Sequence, residues 1–253
     1  MTGGLVVTFS IEFDVLLLDI EGTITPIDFV RNTLFPFARC HVRAFVEQNH
    51  DEPSVQEDLE HLKIQCLTDI ANGLTPPRWQ GASHDIAAIE TYVHWLMDQD
   101  RKVAPLKSLQ GKVWKFGYES GVLRGRVFED VLPALQRLQY QKKPIYLFSS
   151  GSVLAQQLLI THSERGDLSQ YISGYFDTNT GSKGEPQSYE TIAATIGVKS
   201  SNVLFISDAI IELDAATTIG MQVLMARRFG NVEQGESSYL RIESFHSLEL
   251  SMP

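Results

Sequence analysis

The composition of this 253-residue chain is that of a globular protein, with 43% hydrophobic and 21% charged residues. The chain is acidic, with a formal net charge of -10 at pH 7. Because nucleic-acid-binding proteins usually carry a basic surface, we expect no nucleic-acid partner. A small phosphate ester is not excluded, since its binding requires only a local pocket with a cation.

The cysteine content and the apolar runs indicate where the protein works. Cys40 and Cys66 are the two cysteines, and no CxxC motif occurs. This usage is typical of reduced thiols in a cytoplasmic protein. The segment before Asp19 is acidic and contains no basic residue, so we expect no signal peptide. No apolar run reaches about 18 residues, so we expect no membrane span and no membrane partner.

Four short apolar runs predict buried parallel strands. These runs are Val15–Leu18, Ile145–Phe148, Val203–Ile206 and Gln222–Met225. Helical patterns occur beside them at residues 134–138, 153–160 and 212–219. Alternation of short buried strands with helices is typical of an α/β fold, here a doubly wound, mainly parallel, Rossmann-like sheet.

A long segment with a helical pattern, residues 25–127, separates the first predicted strand from the second. Apolar residues recur at about helical spacing over 35–48, 54–71 and 85–97, with Pro or Gly between these stretches. In the second stretch the apolar positions are Leu59, Leu62, Ile64, Leu67 and Ile70. A helical insertion of this length predicts a cap domain, with the α/β core formed by residues 10–24 and 128–253.

Polar residues of the types that occur in catalytic sites follow three of the four predicted strands. Asp19 and Glu21 follow the first strand, Ser149 and Ser150 the second, and Asp208 the third. Between the last two lies a lone lysine in a glycine-flanked loop, Gly181-Ser182-Lys183-Gly184. Since ligands of open α/β sheets bind outside the carboxyl ends of the strands, we expect these side chains to form one site.

These residue types are the ones that phosphoryl transfer through a carboxylate nucleophile requires. Asp19 can attack phosphorus, and Glu21 can protonate the leaving oxygen and later activate water. Mg²⁺ needs few protein carboxylates, for which Asp19 and Asp208 are candidates. The hydroxyl-rich turn at Ser149 can hold phosphate oxygens at a helix start, and Lys183 can neutralise the transferring group.

Each of these residues also has a purely structural interpretation. A strand-end aspartate often caps a helix or forms a turn, a serine cluster often caps a helix, and a lone lysine is usually solvated. The order of the motifs and their places at strand ends favour the functional interpretation. For Arg227-Arg228, after the fourth strand, surface charge is favoured over a contact near the site.

The set resembles the haloacid-dehalogenase superfamily of aspartyl-phosphate hydrolases. Glu at position 21, where most phosphatases of that superfamily carry Asp, is similar to one branch, the enolase-phosphatases of methionine salvage. The segments that carry the resemblance are DIEGTITPIDFVRNTLFPFAR (19–39), LKSLQGKVWKFGYESG (106–121), VFEDVLPAL (127–135), IYLFSSGSVLAQQLL (145–159), GYFDTNTGSKGEPQSYETIA (174–193) and FISDAIIELDAA (205–216).

The resemblance implies a bifunctional enzyme that enolises 2,3-diketo-5-methylthiopentyl 1-phosphate and then removes phosphate to give an acireductone. It implies one Mg²⁺ per chain, held by Asp19, Glu21 and Asp208. For Glu21 it leaves open whether the main chain or the side chain binds the metal. It implies substrate contacts from the segment Ser149–Ser150 and from Lys183.

Two alternatives to this function stay open at the sequence level. The first is a capped phosphatase of the same superfamily that acts on another small phosphate ester without enolisation. The second is a catalytically inactive fold used for protein binding, which the complete acidic, serine and lysine set disfavours. We expect a monomer, because nothing in the sequence indicates an obligate assembly.

Overall fold

A computed structural model describes residues 9–232, 235 and 237–249. The strands are β1 (Phe9–Ser10), β2 (Val15–Leu18), β3 (Ile145–Phe148), β4 (Gly174–Phe176), β5 (Val203–Ser207), β6 (Gln222–Ala226), β7 (Arg241–Ile242) and β8 (Leu248–Glu249). The α-helices are α1 (Ile27–Phe29), α2 (Phe35–Asn49), α3 (Pro53–Ala71), α4 (Ile86–Asp98), α5 (Ala104–Glu119), α6 (Val131–Tyr140), α7 (Val153–Thr161), α8 (Pro186–Ile196) and α9 (Ile210–Thr218). A π-helical turn, Val30–Leu34, joins α1 to α2.

Six parallel strands form the main sheet of the described chain, in the order β4-β3-β2-β5-β6-β7. The predicted α/β class and the four predicted strands are confirmed. The last two of these strands each extend one residue further than predicted, to Ser207 and Ala226. The edge strands β4 and β7 were not predicted, because runs of two or three residues carry no recognisable periodicity.

The central strand β2 is buried on both of its faces, as expected for a strand covered by helices on each side. Val15 and Leu17 pack into a cluster that includes Phe205, Tyr189 of α8 and Leu213 of α9. The alternate residues of β2 face the helix α6 on the other side of the sheet. These contacts involve Leu16, Leu18, Val131, Leu135 and Leu138.

The described chain divides into two compact units. The α/β unit contains the residues up to Val30 and from Arg124 onward, and the helical unit is Arg31–Leu123. The helical unit begins later and ends earlier than the predicted segment 25–127. No helix among the described residues is both long and apolar enough to cross a membrane.

The helical unit has its own core, to which α2, α3, α4 and α5 contribute. The largest members of this core include Leu59, Leu62, Tyr92 and Leu96. The apolar pattern predicted for α3 is only partly buried: Ile64, Leu67 and Ile70 are exposed. The spacing of the hydrophobic residues located the helix, but it did not indicate how much of the helix surface the neighbouring helices cover.

A buried carboxylate crosslinks three parts of the helical unit. Asp69 of α3 is 1% exposed and accepts hydrogen bonds from Tyr92 (2.8 Å), Gln65 (2.9 Å) and Arg101 (2.9 Å). Burial by itself raises the pKa of Asp69, but these hydrogen bonds outweigh it and hold the pKa below its ordinary value of 3.8. The network therefore stabilises the folded state while Asp69 is ionised.

Asp69→Ala is expected to lower the free energy of unfolding by about 2 kcal/mol, since hydrogen bonds to charged groups contribute about 1.5–3 kcal/mol. The folded pKa is depressed, so this contribution is present above the unfolded pKa and is lost as the pH falls below 3.8. Urea unfolding at several pH values measures it. Asp98→Ala, which breaks an exposed pair with Arg39, is the control and should change stability by less than about 1 kcal/mol.

Candidate active site

The sheet register brings the predicted site residues to one edge. Leu18, the last residue of β2, pairs with Leu147 of β3 and with Ile206 of β5. The next residue, Asp19, donates its backbone N–H to the Ile206 carbonyl at 3.0 Å. The carboxyl ends of the three central strands therefore lie side by side, which is where open α/β sheets bind ligands.

A tight turn carries Asp19 away from the sheet. The Ile20 carbonyl accepts hydrogen bonds from the backbone N–H groups of Thr23, Ile24 and Thr25 at 2.9–3.2 Å. Gly22 has φ +73°, a conformation that residues with a Cβ rarely adopt. A Cβ at this position would lie 2.3 Å from Oδ2 of Asp208. The turn thus requires glycine both for its backbone conformation and for the close approach of Asp208.

Both oxygens of the Asp19 carboxylate are held by the α/β unit. The Thr23 hydroxyl donates to Oδ2 at 3.0 Å, and the Lys183 ammonium donates to Oδ1. Asp19 is 5% exposed and Lys183 is 8% exposed. A buried carboxylate held from two sides in one orientation has the preorganisation that a nucleophile requires.

Lys183 bridges two carboxylates. Its Nζ lies 2.7 Å from Oε2 of Glu212, in addition to its contact with Asp19. Burial by itself lowers the pKa of Lys183, but the charges of Asp19 and Glu212 outweigh it, and the pKa is raised. Lys183 is therefore a fixed positive charge at this edge of the sheet.

The site contains more negative than positive charge. Burial, followed by the charge of Asp19, raises the pKa of Asp208 to about 7. The same two causes raise the pKa of Glu212 to about 7, although Lys183 and the Ser207 hydroxyl both contact it. The charge on Lys183 therefore offsets only part of the negative charge on these carboxylates.

The donor chemistry of this edge fits Mg²⁺. Within the described residues, no three His, Cys, Asp or Glu side chains lie close enough together to hold a metal by themselves. Mg²⁺ does not require such a cage, because it binds through one or two carboxylates, water and a substrate phosphate. Asp19 and Asp208 supply hard oxygen ligands, and the surplus of negative charge there favours a cation.

The serine turn is built by contacts from the neighbouring strand β4 and from its own helix. Ser149 is buried, and its Oγ accepts a hydrogen bond from the Gly151 N–H at 3.0 Å. Asp177, just after β4, accepts from the N–H of Val153 at the start of α7. The Gln156 amide donates to the Gly151 carbonyl at 3.0 Å. These contacts fix the turn at the helix start, where phosphate oxygens bind readily.

The structure brings some of the predicted site residues into contact and leaves others as neighbours. Asp19 and Lys183 touch, and Asp208 lies against the turn at Gly22. Glu21 is half-buried, and its charge contributes to the raised pKa of Asp208. Ser150 is also half-buried and lies beside the buried Ser149.

Glu212 is a site residue that sequence reasoning did not select. Its position four residues after Asp208 was the available signal, because one helical turn returns a side chain to the strand end. Asp214, two residues further along α9, is exposed and accepts a hydrogen bond from Tyr239 at 2.5 Å.

The favoured interpretation of Arg228 as surface charge was wrong. Arg228 is 7% exposed, and its two terminal nitrogens donate to the two oxygens of Asp130 at 2.8 Å each. Its Nε donates to the carbonyl of Thr23, in the turn that carries Asp19, at 2.9 Å. Sequence reasoning could not find this contact, because the buried partner Asp130 lies 98 residues away in the chain.

Comparison with known proteins shows the family of this chain. The family described as haloacid dehalogenase-like hydrolase matches residues 13–220. The chain is 48% identical over 238 residues to the Enolase-phosphatase E1 of Synechococcus elongatus, covering 94% of this chain and 98% of that protein. This chain belongs to the enolase-phosphatases of the haloacid dehalogenase-like hydrolases. The Enolase-phosphatase E1 of Xenopus tropicalis is 39% identical and covers 92% of this chain.

A solved structure of similar sequence shares the fold of this enolase-phosphatase family member. The crystal structure of the UTR4 protein of Saccharomyces cerevisiae superposes with a TM-score of 0.77 at 36% identity. It covers 93% of this chain and the whole of the yeast chain. Family membership, which the sequence resemblance implied, is confirmed.

The contact between Lys183 and Asp19 should be measurable as an energetic coupling. Lys183→Met is expected to lower the free energy of unfolding by about 3–5 kcal/mol, because it leaves buried carboxylates without their cation. Adding Asp19→Asn to that variant should recover part of the loss, with a coupling energy of about 1–3 kcal/mol in a double-mutant cycle.

Lys115→Met is the matched control for this cycle, because the Lys115 ammonium pairs with Glu119 on the exposed face of α5. It should change stability by less than about 1 kcal/mol. A coupling energy below about 0.5 kcal/mol between positions 19 and 183 would contradict the arrangement described.

Proposed function

We propose that this chain converts 2,3-diketo-5-methylthiopentyl 1-phosphate to an acireductone and phosphate in methionine salvage. The chain is a phosphatase of the enolase-phosphatase family, and its substrate is a small phosphate ester. The observation that carries the proposal is Asp19 at the end of the central strand, buried and held by Thr23 and Lys183.

Hydrolysis begins with attack of an Asp19 carboxylate oxygen on phosphorus. A phosphorus–oxygen bond to Asp19 forms, the ester bond breaks, and Glu21 gives its proton to the leaving oxygen. Water then attacks the aspartyl phosphate while Glu21 takes a proton from that water. Phosphate leaves, and the Asp19 carboxylate is restored. Lys183 neutralises charge on the transferring group, and Ser149 and Ser150 hold its oxygens.

We assign one Mg²⁺ per chain to this site, with Asp19 and Asp208 as carboxylate ligands and Glu21 as the third. What supports the assignment is the surplus of negative charge and the hard oxygen donors at the sheet edge. When bound, Mg²⁺ supplies Lewis-acid stabilisation of negative charge on the phosphate and on an enediolate. A main-chain ligand at Glu21 would leave its side chain free for proton transfer.

Enolisation removes a carbon-bound proton next to a carbonyl, and we assign this proton to the Glu21 carboxylate. The support is chemical, because a glutamate has one methylene more than the aspartate that is usual at this position. Glu21 also lies on the tight turn at Gly22, which fixes its backbone beside the nucleophile. The same carboxyl group can then carry a proton to the leaving oxygen.

The remaining expectations form part of this proposal. We propose that the protein acts as a cytoplasmic monomer, without a nucleic-acid or membrane partner. The role of residues 25–127 as a cap stays a prediction.

Asp19→Asn is expected to reduce phosphate release by about 10⁴-fold or more, because an amide cannot replace the nucleophile. Removal of divalent cations with EDTA should abolish turnover, and added Mg²⁺ should restore it. Phosphate release from the diketone phosphate, measured with purified protein, tests both. Turnover that persists in the variant or in EDTA would exclude this mechanism.

Glu21→Asp is expected to slow formation of the ultraviolet-absorbing enol about 100-fold, because the shorter side chain places the base too far from the carbon. Phosphate release from a substrate that needs no enolisation, such as p-nitrophenyl phosphate, should fall much less. The matched control is Glu129→Asp in the same α/β unit, where the carboxylate is 93% exposed and both rates should stay unchanged. Equal loss of the two activities would contradict the assignment of Glu21 as the enolisation base.

A further inference from the structure

The loop after β6 holds the turn that carries the nucleophile. The Asn231 amide nitrogen donates to the Gly22 carbonyl at 2.9 Å. Arg228 of the same loop donates to the Thr23 carbonyl at 2.9 Å. Two consecutive carbonyl groups of the Asp19 turn are thus fixed by side chains that lie more than 200 residues away in the sequence.

The Arg228 end of this loop is anchored rigidly. Besides its paired contacts with Asp130, Arg228 donates to the Glu243 carbonyl at 2.8 Å. Its guanidinium carbon, Cζ, lies 4.4 Å from the ring centroid of Phe128 and 4.7 Å from that of Phe245. A guanidinium with these contacts has little freedom to move, so it is a firm support for the Thr23 carbonyl.

The hydrogen-bonded carbonyl groups of Gly22 and Thr23 determine the conformation of the rest of the turn. The Gly22 carbonyl is directed to Asn231, and the Gly22 N–H is directed to the Thr25 carbonyl at 2.8 Å. With both of its backbone polar groups fixed, Gly22 keeps the positive φ that brings it against Asp208. Thr23, fixed through its carbonyl, keeps its hydroxyl on the Asp19 carboxylate.

We propose that Asn231 is a positioning residue, which acts on Asp19, Glu21 and Asp208 through the Gly22 carbonyl and does not touch substrate. The expected effect on catalysis rests on the proposed function. Loss of the amide donor frees the Gly22 carbonyl and allows the turn to relax, which weakens Mg²⁺ binding and slows chemistry. Contacts of this kind, one shell removed from a metal, commonly change metal affinity or activity by about 10- to 100-fold.

The test uses Asn231→Leu and Asn231→Ala in the full chain. Leucine has the same branched skeleton as asparagine. It removes both the donor and the buried Oδ1, which accepts no hydrogen bond from the described residues. Asn202→Ala is the matched control, since the Asn202 amide joins the chain segments at the opposite end of the sheet through Asp14. Three quantities are compared: Mg²⁺ affinity of metal-free protein by calorimetry, kcat and KM, and the urea unfolding midpoint.

We expect both Asn231 variants to bind Mg²⁺ about 10-fold more weakly and to lose kcat about 10- to 100-fold, with KM within about threefold of wild type. Asn202→Ala should match the wild type in Mg²⁺ affinity and kcat. Mg²⁺ affinity and kcat within about twofold of wild type in Asn231→Leu would overturn the inference. The inference would also be overturned if the loss of kcat were no larger than the loss of folded protein that the urea unfolding curve gives for the variant.

The measurement of Mg²⁺ affinity separates this inference from the proposed function. If the wild-type protein releases no phosphate from the diketone phosphate, the proposed function fails. The ratio of Mg²⁺ affinities between wild type and Asn231→Leu still decides whether Asn231 positions the turn.

Discussion

The contact between Lys183 and the Asp19 carboxylate is the interaction on which the rest of the site depends. Burying a carboxylate is costly unless a partner compensates its charge. Here the compensation is incomplete, because Glu212 shares the same ammonium and Asp208 lies nearby with a raised pKa. Negative charge of this kind would favour a divalent cation, held by Asp19 and Asp208, whose charge would reduce the repulsion between the Asp19 carboxylate and a phosphate dianion.

Backbone geometry then determines which groups meet at that edge. The register of β2 with β3 and β5 places Asp19 beside the two other strand ends, and the positive φ of Gly22 allows Asp208 to approach the turn. Glu21 lies on the same turn, so one tight loop carries both the proposed nucleophile and the proposed proton carrier. A single loop can serve enolisation and hydrolysis because both reactions require a base and a stabilised oxyanion at nearly one place.

Local sequence predicted the sheet well, because strands buried on both faces appear as short apolar runs. It also predicted that the residues after these runs lie at one edge of the sheet, because the ends of neighbouring parallel strands lie side by side. It could not predict that Arg228 is buried, since burial of a charge depends on a distant partner such as Asp130. Nor could it predict that Ile64 and Leu67 of α3 are exposed, because hydrophobic spacing does not report how much of a helix is covered.

Two of the side chains that hold the turn after β2 lie outside the segment that the family model matches. The match to the haloacid dehalogenase-like hydrolases ends at residue 220, whereas Arg228 and Asn231 follow β6. The match to the Synechococcus elongatus enolase-phosphatase spans 94% of the chain. The loop after β6 therefore adds contacts to this turn from outside the segment that the family model matches. The proposed role of Glu21 requires one carboxyl group to meet two different protons from one backbone position. A turn held by these two side chains would keep that backbone position constant through both steps.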